Sequence, residues 1–89
     1  MSTVDLVISN RLGLHARAAA KLTQLAGQFQ SEIFISREAQ RVNAKSIMGV
    51  MMLAAGLGVT VKIEALGSDA EQALAEIKAL FDSKFGEYE

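Results

Sequence analysis

The sequence predicts an α+β fold, a four-stranded antiparallel sheet with three helices on one face, in the order βαββαβα. Three observations point there. Two segments, Thr3 to Ile8 and Val59 to Leu66, alternate apolar and polar residues as half-buried strands do. Two others, Ala16 to about Ala26 and Ala70 to Phe81, repeat apolar residues at helical spacing. The outer strands also keep one polar face, so helices should cover only the other side, making an open-faced β-sandwich.

In the first strand, Val4, Leu6 and Ile8 share one face against Thr3, Asp5 and Val7. The first helix is opened by a Gly-containing turn and carries Ala19, Leu22, Ala26 and Phe29 as its apolar stripe, with Gly27 as stop signal. Glu32 to Ser36 reads as the second strand with Ile33 and Ile35 inward, and Gln40 to Asn43 as a short third, joined by a turn at Arg37, Glu38 and Ala39. A short helix follows from about Ser46 to Ala54, closed by Gly56. In the fourth strand Val59, Val61, Ile63 and Ala65 oppose Thr60, Lys62 and Glu64. Ser68-Asp69-Ala70-Glu71 has capping-box spacing, in which the serine and the glutamate would each satisfy a free N–H at the start of the last helix. Ala70, Ala73, Leu74, Ile77, Leu80 and Phe81 line one face of that helix, and the tail from Gly86 to Glu89 is expected to fray. A strand, helix and second strand in this order form half of a split βαβ unit, with room for the fourth strand between.

Composition narrows the function. A chain of 89 residues with 51% hydrophobic residues suits one folded domain and argues against disorder. Without cysteine there is no disulfide, thiolate catalysis or cysteine-held metal, and a single histidine argues against a protein-only zinc site. No apolar run approaches the ~20 residues that span a bilayer, and the N-terminus lacks the pattern of a secretory signal, so no membrane association and a cytoplasmic location are expected. A net charge of −1 excludes a generally basic nucleic-acid binder. The charges are unevenly spread, however. Arg11, Arg17 and Lys21 are the only charged residues from Leu6 to Ser31, whereas seven acids face Lys78 and Lys84 from Glu64 onward. The basic third would suit a phosphoryl group and an acidic docking partner.

That third contains Gly13-Leu14-His15-Ala16-Arg17, with the chain's only histidine at what reads as a helix start. The free N–H groups of a first helical turn and the aligned peptide dipoles favour negative charge. A neutral imidazole nitrogen is a nucleophile, and a phosphoryl group on it would lie against those donors and the Arg17 guanidinium. The plainer alternative is a helix N-cap or surface residue. A second string, Asn43-Ala44-Lys45-Ser46-Ile47-Met48-Gly49-Val50-Met51-Met52-Leu53, opens the short helix. Together the two strings, with the length and element order, resemble the HPr family, the histidine phosphocarriers of the bacterial phosphoenolpyruvate-dependent sugar phosphotransferase system.

The resemblance covers essentially the whole chain and implies a single HPr-like domain over residues 1–89, with the fourth strand inserted between the first and second. There is one departure. Many members carry proline where this chain has Ala18, which is itself a strong helix former, so a slightly less rigid helix start is expected. The resemblance also implies a shuttle. His15 accepts a phosphoryl group from phosphorylated enzyme I and passes it to enzyme II A components, with the Ala16 and Arg17 N–H groups and the Arg17 side chain holding the phosphoryl oxygens. Transfer needs in-line approach and charge stabilisation but no general base. The family uses Nδ1, a choice that sequence alone does not reveal. The protein would then be a phosphocarrier and no enzyme, monomeric, with no cofactor.

Ser46 reads as the N-cap of the second helix. The resemblance adds regulatory phosphorylation there by an HPr kinase/phosphorylase, which would put charge into the docking surface without unfolding the helix. At least one of Met48, Met51 and Met52 should face the core, yet all three cannot point inward on so short a helix. Exposed methionines suit a surface that meets several partners. By resemblance, the docking surface would comprise Ile47, Met48 and Met51 with Ala16, Arg17, Ala20 and Gln24. Other signals carry less. Gly56-Leu57-Gly58 follows a helix and precedes a strand, the reverse of a nucleotide-binding turn, and Tyr88 receives no role. Two alternatives stay open. Leu80-Phe81-Asp82-Ser83-Lys84-Phe85 has the flavour of a nitrogen-related regulatory phosphocarrier, against Lys45-Ser46-Ile47-Met48-Gly49 for the sugar branch. A non-transferring regulatory binding module would not need His15 with Arg17.

Overall fold

The computed structural model describes residues 1–87. Strands β1 (Ser2–Val7), β2 (Glu32–Arg37), β3 (Gln40–Asn43) and β4 (Thr60–Leu66) form one antiparallel sheet in the order β1-β4-β2-β3. Helices α1 (Ala16–Ala26), α2 (Ile47–Met52) and α3 (Ala70–Asp82) interleave with them, and a 3₁₀ turn at Lys84–Gly86 follows. The open-faced βαββαβα arrangement is therefore the observed one, with β4 inserted between β1 and β2.

Register follows from the alternation. Leu6 pairs with Val61 and Val4 with Ile63, while Ile35 faces Ile63 and Ile33 faces Ala65, which keeps these apolar side chains on the helix side. Ile33, Ile35, Val61, Ile63 and Ala65 are fully buried, as are Ala19, Leu22 and Ala26 of α1 and Ala73, Ile77 and Phe81 of α3. Each such Leu, Ile or Phe contributes about 1.5–3 kcal/mol by leaving water. Ala18, outside the stripe read from sequence, is buried too, and Phe29 is only partly so.

Besides one-residue shifts at the ends of β1 and β4, four features depart from the sequence reading, each because of a tertiary contact or a local backbone preference. Arg37 belongs to β2, and the turn narrows to Glu38 and Ala39, with Glu38 at φ 54. The Arg37 guanidinium donates to the Leu53 and Ala54 carbonyls at 3.1 and 2.8 Å. α2 therefore ends at Met52 on a guanidinium from β2, with Ala54 at φ 49, and Gly56 is not its stop. The capping box at α3 does not form: Asp69 is the N-cap, and its side chain makes no cap bond. Its carboxylate instead accepts from the Gln30 and Ser31 N–H groups at 2.9 and 3.0 Å and from the Ser31 hydroxyl, tying α3 to the entry of β2. Those bonds, the Ser31 hydroxyl first, hold the Asp69 carboxyl below the usual carboxylate range.

The tail is the fourth. Phe85 is buried, its ring 4.8 Å from that of Phe81, and Gly86 and Glu87 fold back onto the body. They are not frayed, because a buried aromatic anchors them; the Tyr88 and Glu89 part of that expectation lies outside the described residues. The methionines also differ. Met48, Met51 and Met52 are all exposed, and none faces the core. Val50 of this six-residue helix and Leu53 at its C-cap take the inward positions instead. Among the described residues, no helix is long and apolar enough to cross a membrane.

Candidate functional site

The loop that delivers His15 is held from both sides. Asn10, fully buried, donates from Nδ2 to the Gly13 carbonyl at 2.8 Å, and the Gly13 N–H returns to the Asn10 carbonyl at 3.2 Å. Gly13 sits at φ 66, where a Cβ would meet the Ala55 carbonyl oxygen and the Gly56 Cα at 2.6 Å each. Only glycine allows that approach, and it lets the Leu14 N–H reach the Ala55 carbonyl at 2.9 Å with the Leu14 side chain buried. The loop is thus locked to the segment that follows α2.

His15 is the N-cap of α1, with extended backbone at φ −72 and ψ 179; its carbonyl accepts from Ala19 at 2.8 Å and its side chain makes no cap bond. The N–H groups of Ala16, Arg17 and Ala18 therefore open the helix without intrahelical acceptors. The imidazole is about a quarter exposed, 28% by side chain, and its Nε2 stands 2.5 Å from Glu87 Oε2. Glu87 Oε1 accepts from Asn10 Nδ2 at 3.0 Å. The hydrogen bond from His15, then that from Asn10, holds the Glu87 carboxyl below the usual carboxylate range; the charges of His15 and Arg17 add to this, against the cost of partial burial.

Arg11, Leu12, Ala16, Arg17 and Lys21 line the recess around this pair with Gly86. All three cations of the basic third converge there, and Lys21 Nζ also donates to the Phe85 carbonyl at 2.6 Å. The structure thus brings His15, Ala16 and Arg17 together. Ser46 lies on the other helix, exposed, as N-cap of α2, its Oγ accepting from the Gly49 N–H at 3.1 Å. α1 and α2 pack against one another. Between them they expose Ala16, Arg17 and Gln24, half-expose Ala20, and leave Ile47, Met48 and Met51 open to solvent. The sequence reading missed Asn10, Leu12 and Glu87. Glu87 is 72 positions from His15, in a tail with no periodicity to place it, and no signal in the chain could have found it. Among the described residues no group of three or more His, Asp or Glu side chains could hold a metal ion.

Residues 2–83 match the family model described as PTS HPr component phosphorylation site. The chain belongs to the HPr family. It is 58% identical over 85 residues to the phosphocarrier protein HPr of Cupriavidus necator, covering 96% of each chain. It is also 46% identical over 83 residues to the phosphocarrier protein NPr of Shewanella violacea, covering 93% of this chain and 91% of that one. The crystal structure of HPr-C-His from Thermoanaerobacter tengcongensis superposes with a TM-score of 0.96 at 45% identity over the full length of both chains. As an HPr-family member the protein is a phosphocarrier of the phosphotransferase system and not an enzyme.

Proposed function

We propose that His15 accepts a phosphoryl group on Nδ1 from phosphorylated enzyme I and hands it to enzyme II A components for sugar uptake. The observation that carries this reading is the imidazole at the N-cap of α1 with its Nε2 against a carboxylate. A carboxylate only accepts, so Nε2 keeps its hydrogen and Nδ1 keeps the lone pair that attacks phosphorus. The donor's bond to phosphorus breaks as the Nδ1–P bond forms, and the reverse transfer releases a neutral imidazole that still carries its Nε2 hydrogen. The Ala16 and Arg17 N–H groups and the Arg17 guanidinium face the phosphoryl oxygens, giving charge-assisted bonds. No base is required, and no cofactor.

In the same reading the carrier works as a monomeric single domain in the cytoplasm. It docks through Ala16, Arg17, Ala20 and Gln24 of α1 and Ile47, Met48 and Met51 of α2. Ser46 is the acceptor for an HPr kinase/phosphorylase. Two features support the sugar route over the nitrogen-related one, the Lys45-Ser46-Ile47-Met48-Gly49 string and 58% identity to a protein named HPr against 46% to one named NPr. The test is incubation with phosphoenolpyruvate and enzyme I, followed by mapping of acid-labile phosphate and transfer to sugar-specific or nitrogen-related enzyme II A proteins. Acid-labile phosphate on His15 that is relayed to a sugar-specific acceptor is expected, with His15→Ala folded and inert. A His15→Ala protein that still relays phosphate overturns the assignment.

A further inference from the structure

The segment after α3 is built to bring one carboxylate to the histidine. Lys84, Phe85 and Gly86 all have left-handed backbone, at φ 57, 57 and 76, a conformation that non-glycine residues hold only when their surroundings enforce it. Here the Phe85 ring is buried against Phe81 and the Phe85 carbonyl is taken by Lys21 Nζ. The chain turns back over α1 as a result, and Glu87 comes within 2.5 Å of His15 Nε2, its side chain only 14% exposed. A buried amide then fixes the carboxylate. Both partners of Asn10 Nδ2, the Gly13 carbonyl and Glu87 Oε1, are acceptors, so this side chain cannot flip without losing both. Its own Oδ1 is left without a partner in the interior, a cost that a well-packed domain seldom accepts.

We propose that Glu87 is a positioning residue for the phosphoryl transfer, with Asn10 and the turn at Lys84–Gly86 as its support; this rests on the reading of His15 as phosphoryl acceptor. Glu87 holds the imidazole in one tautomer and one orientation. When the Nδ1–P bond forms, the ring bears substituents on both nitrogens and becomes cationic, and the carboxylate then faces a positive ring. The phosphorylated carrier is stabilised relative to the free one. Removing the charge should therefore slow acceptance and shift the transfer equilibrium back toward the donor. Because Glu87 is an acid within a basic recess meant for an acidic partner, its removal should not weaken docking. Chemistry and docking are thereby separated.

The experiment compares full-length wild type, Glu87→Gln, Glu87→Leu and Glu87→Asp in single-turnover phosphorylation by phosphorylated enzyme I across donor concentrations, with ¹⁵N spectra of the His15 ring. A fall of about 10-fold in rate at saturating donor is expected for Glu87→Gln and Glu87→Leu, with no rise in the donor's half-saturating concentration and partial rescue by Glu87→Asp. In wild type the ring nitrogens should report a single Nε2–H tautomer, and in Glu87→Leu a mixture. A rate at saturation and a ring spectrum unchanged in Glu87→Leu would overturn the proposal while leaving the His15 reading intact. Absence of acid-labile phosphate on wild-type His15 refutes the underlying reading instead.

Discussion

Substituting alanine for glycine at three positions around the site loop separates backbone strain from steric exclusion. At Gly56 the backbone is outside the left-handed region and a Cβ would meet nothing within 4 Å. Alanine there should be neutral, or stabilising by up to about 1 kcal/mol through the unfolded chain. Gly58 has φ 84 but equally open space, so Gly58→Ala should cost only the left-handed penalty, about 1 kcal/mol. Gly13 carries both burdens. At φ 66 alanine incurs the same penalty, and its Cβ would lie 2.6 Å from the Ala55 carbonyl oxygen, which is backbone and not free to swing aside. The loops must part, and the Leu14 N–H to Ala55 bond of 2.9 Å goes with them, adding about 1–2 kcal/mol. Gly13→Ala should therefore lose about 2–4 kcal/mol in total. For a domain of this size that is a fall in Tm of about 10–25 °C, against about 5 °C for Gly58→Ala and no fall for Gly56→Ala. Thermal unfolding followed by far-UV circular dichroism measures all three, and phosphorylation of any Gly13→Ala protein that remains folded should be slowed as His15 shifts. A Tm for Gly13→Ala within a few degrees of that for Gly58→Ala would refute the claim that Gly13 locks the site loop to the segment after α2.

Arg17→Ala should slow single-turnover transfer on the order of 10²-fold while changing partner affinity far less, and a loss confined to affinity would make Arg17 a docking residue only. Ser46→Asp keeps an N-cap oxygen at α2, so unfolding should be nearly unchanged. Association with enzyme I should weaken most at low salt, and wild-type phosphorylation rates at low salt would reduce Ser46 to a cap. Acid should destabilise the fold through Asp69 and Glu87. Both carboxyls are held below their ordinary range in the fold, so the unfolded chain binds more protons there, and their stabilisation, complete above about pH 4–5, is lost as pH falls through the folded values. Tm measured from about pH 7 to pH 2 should drop in wild type and less steeply in Asp69→Asn, and parallel curves would show that the Asp69 bonds contribute nothing.

Alternation alone settled which faces of β1, β2 and β4 are buried, because side chains on a strand project to opposite sides whatever the strand pairs with. Helical spacing did the same for α1 and α3, and the N-cap role of Ser46 follows from its residue type at the start of a helix. Those are properties of a few neighbouring residues. Two features resisted local reading because their partners are remote in the chain. The Ser68 to Glu71 capping spacing is real, but Asp69 finds Ser31 and Gln30 across the fold, and three bonds from a distant turn outweigh one local cap. The end of α2 is set by Arg37 from β2, where local glycine placement pointed to Gly56. The methionines of α2 could not be sorted by periodicity either, since a helix of six residues completes fewer than two turns and its packing against α1 decides which side is inside. Most of all, the His15 string announces a nucleophile at a helix start, yet nothing in it names the acid beside the imidazole. That acid arrives only because Phe85 is drawn into the core against Phe81 and turns the chain back over α1, so the hydrophobic interior decides what the histidine touches.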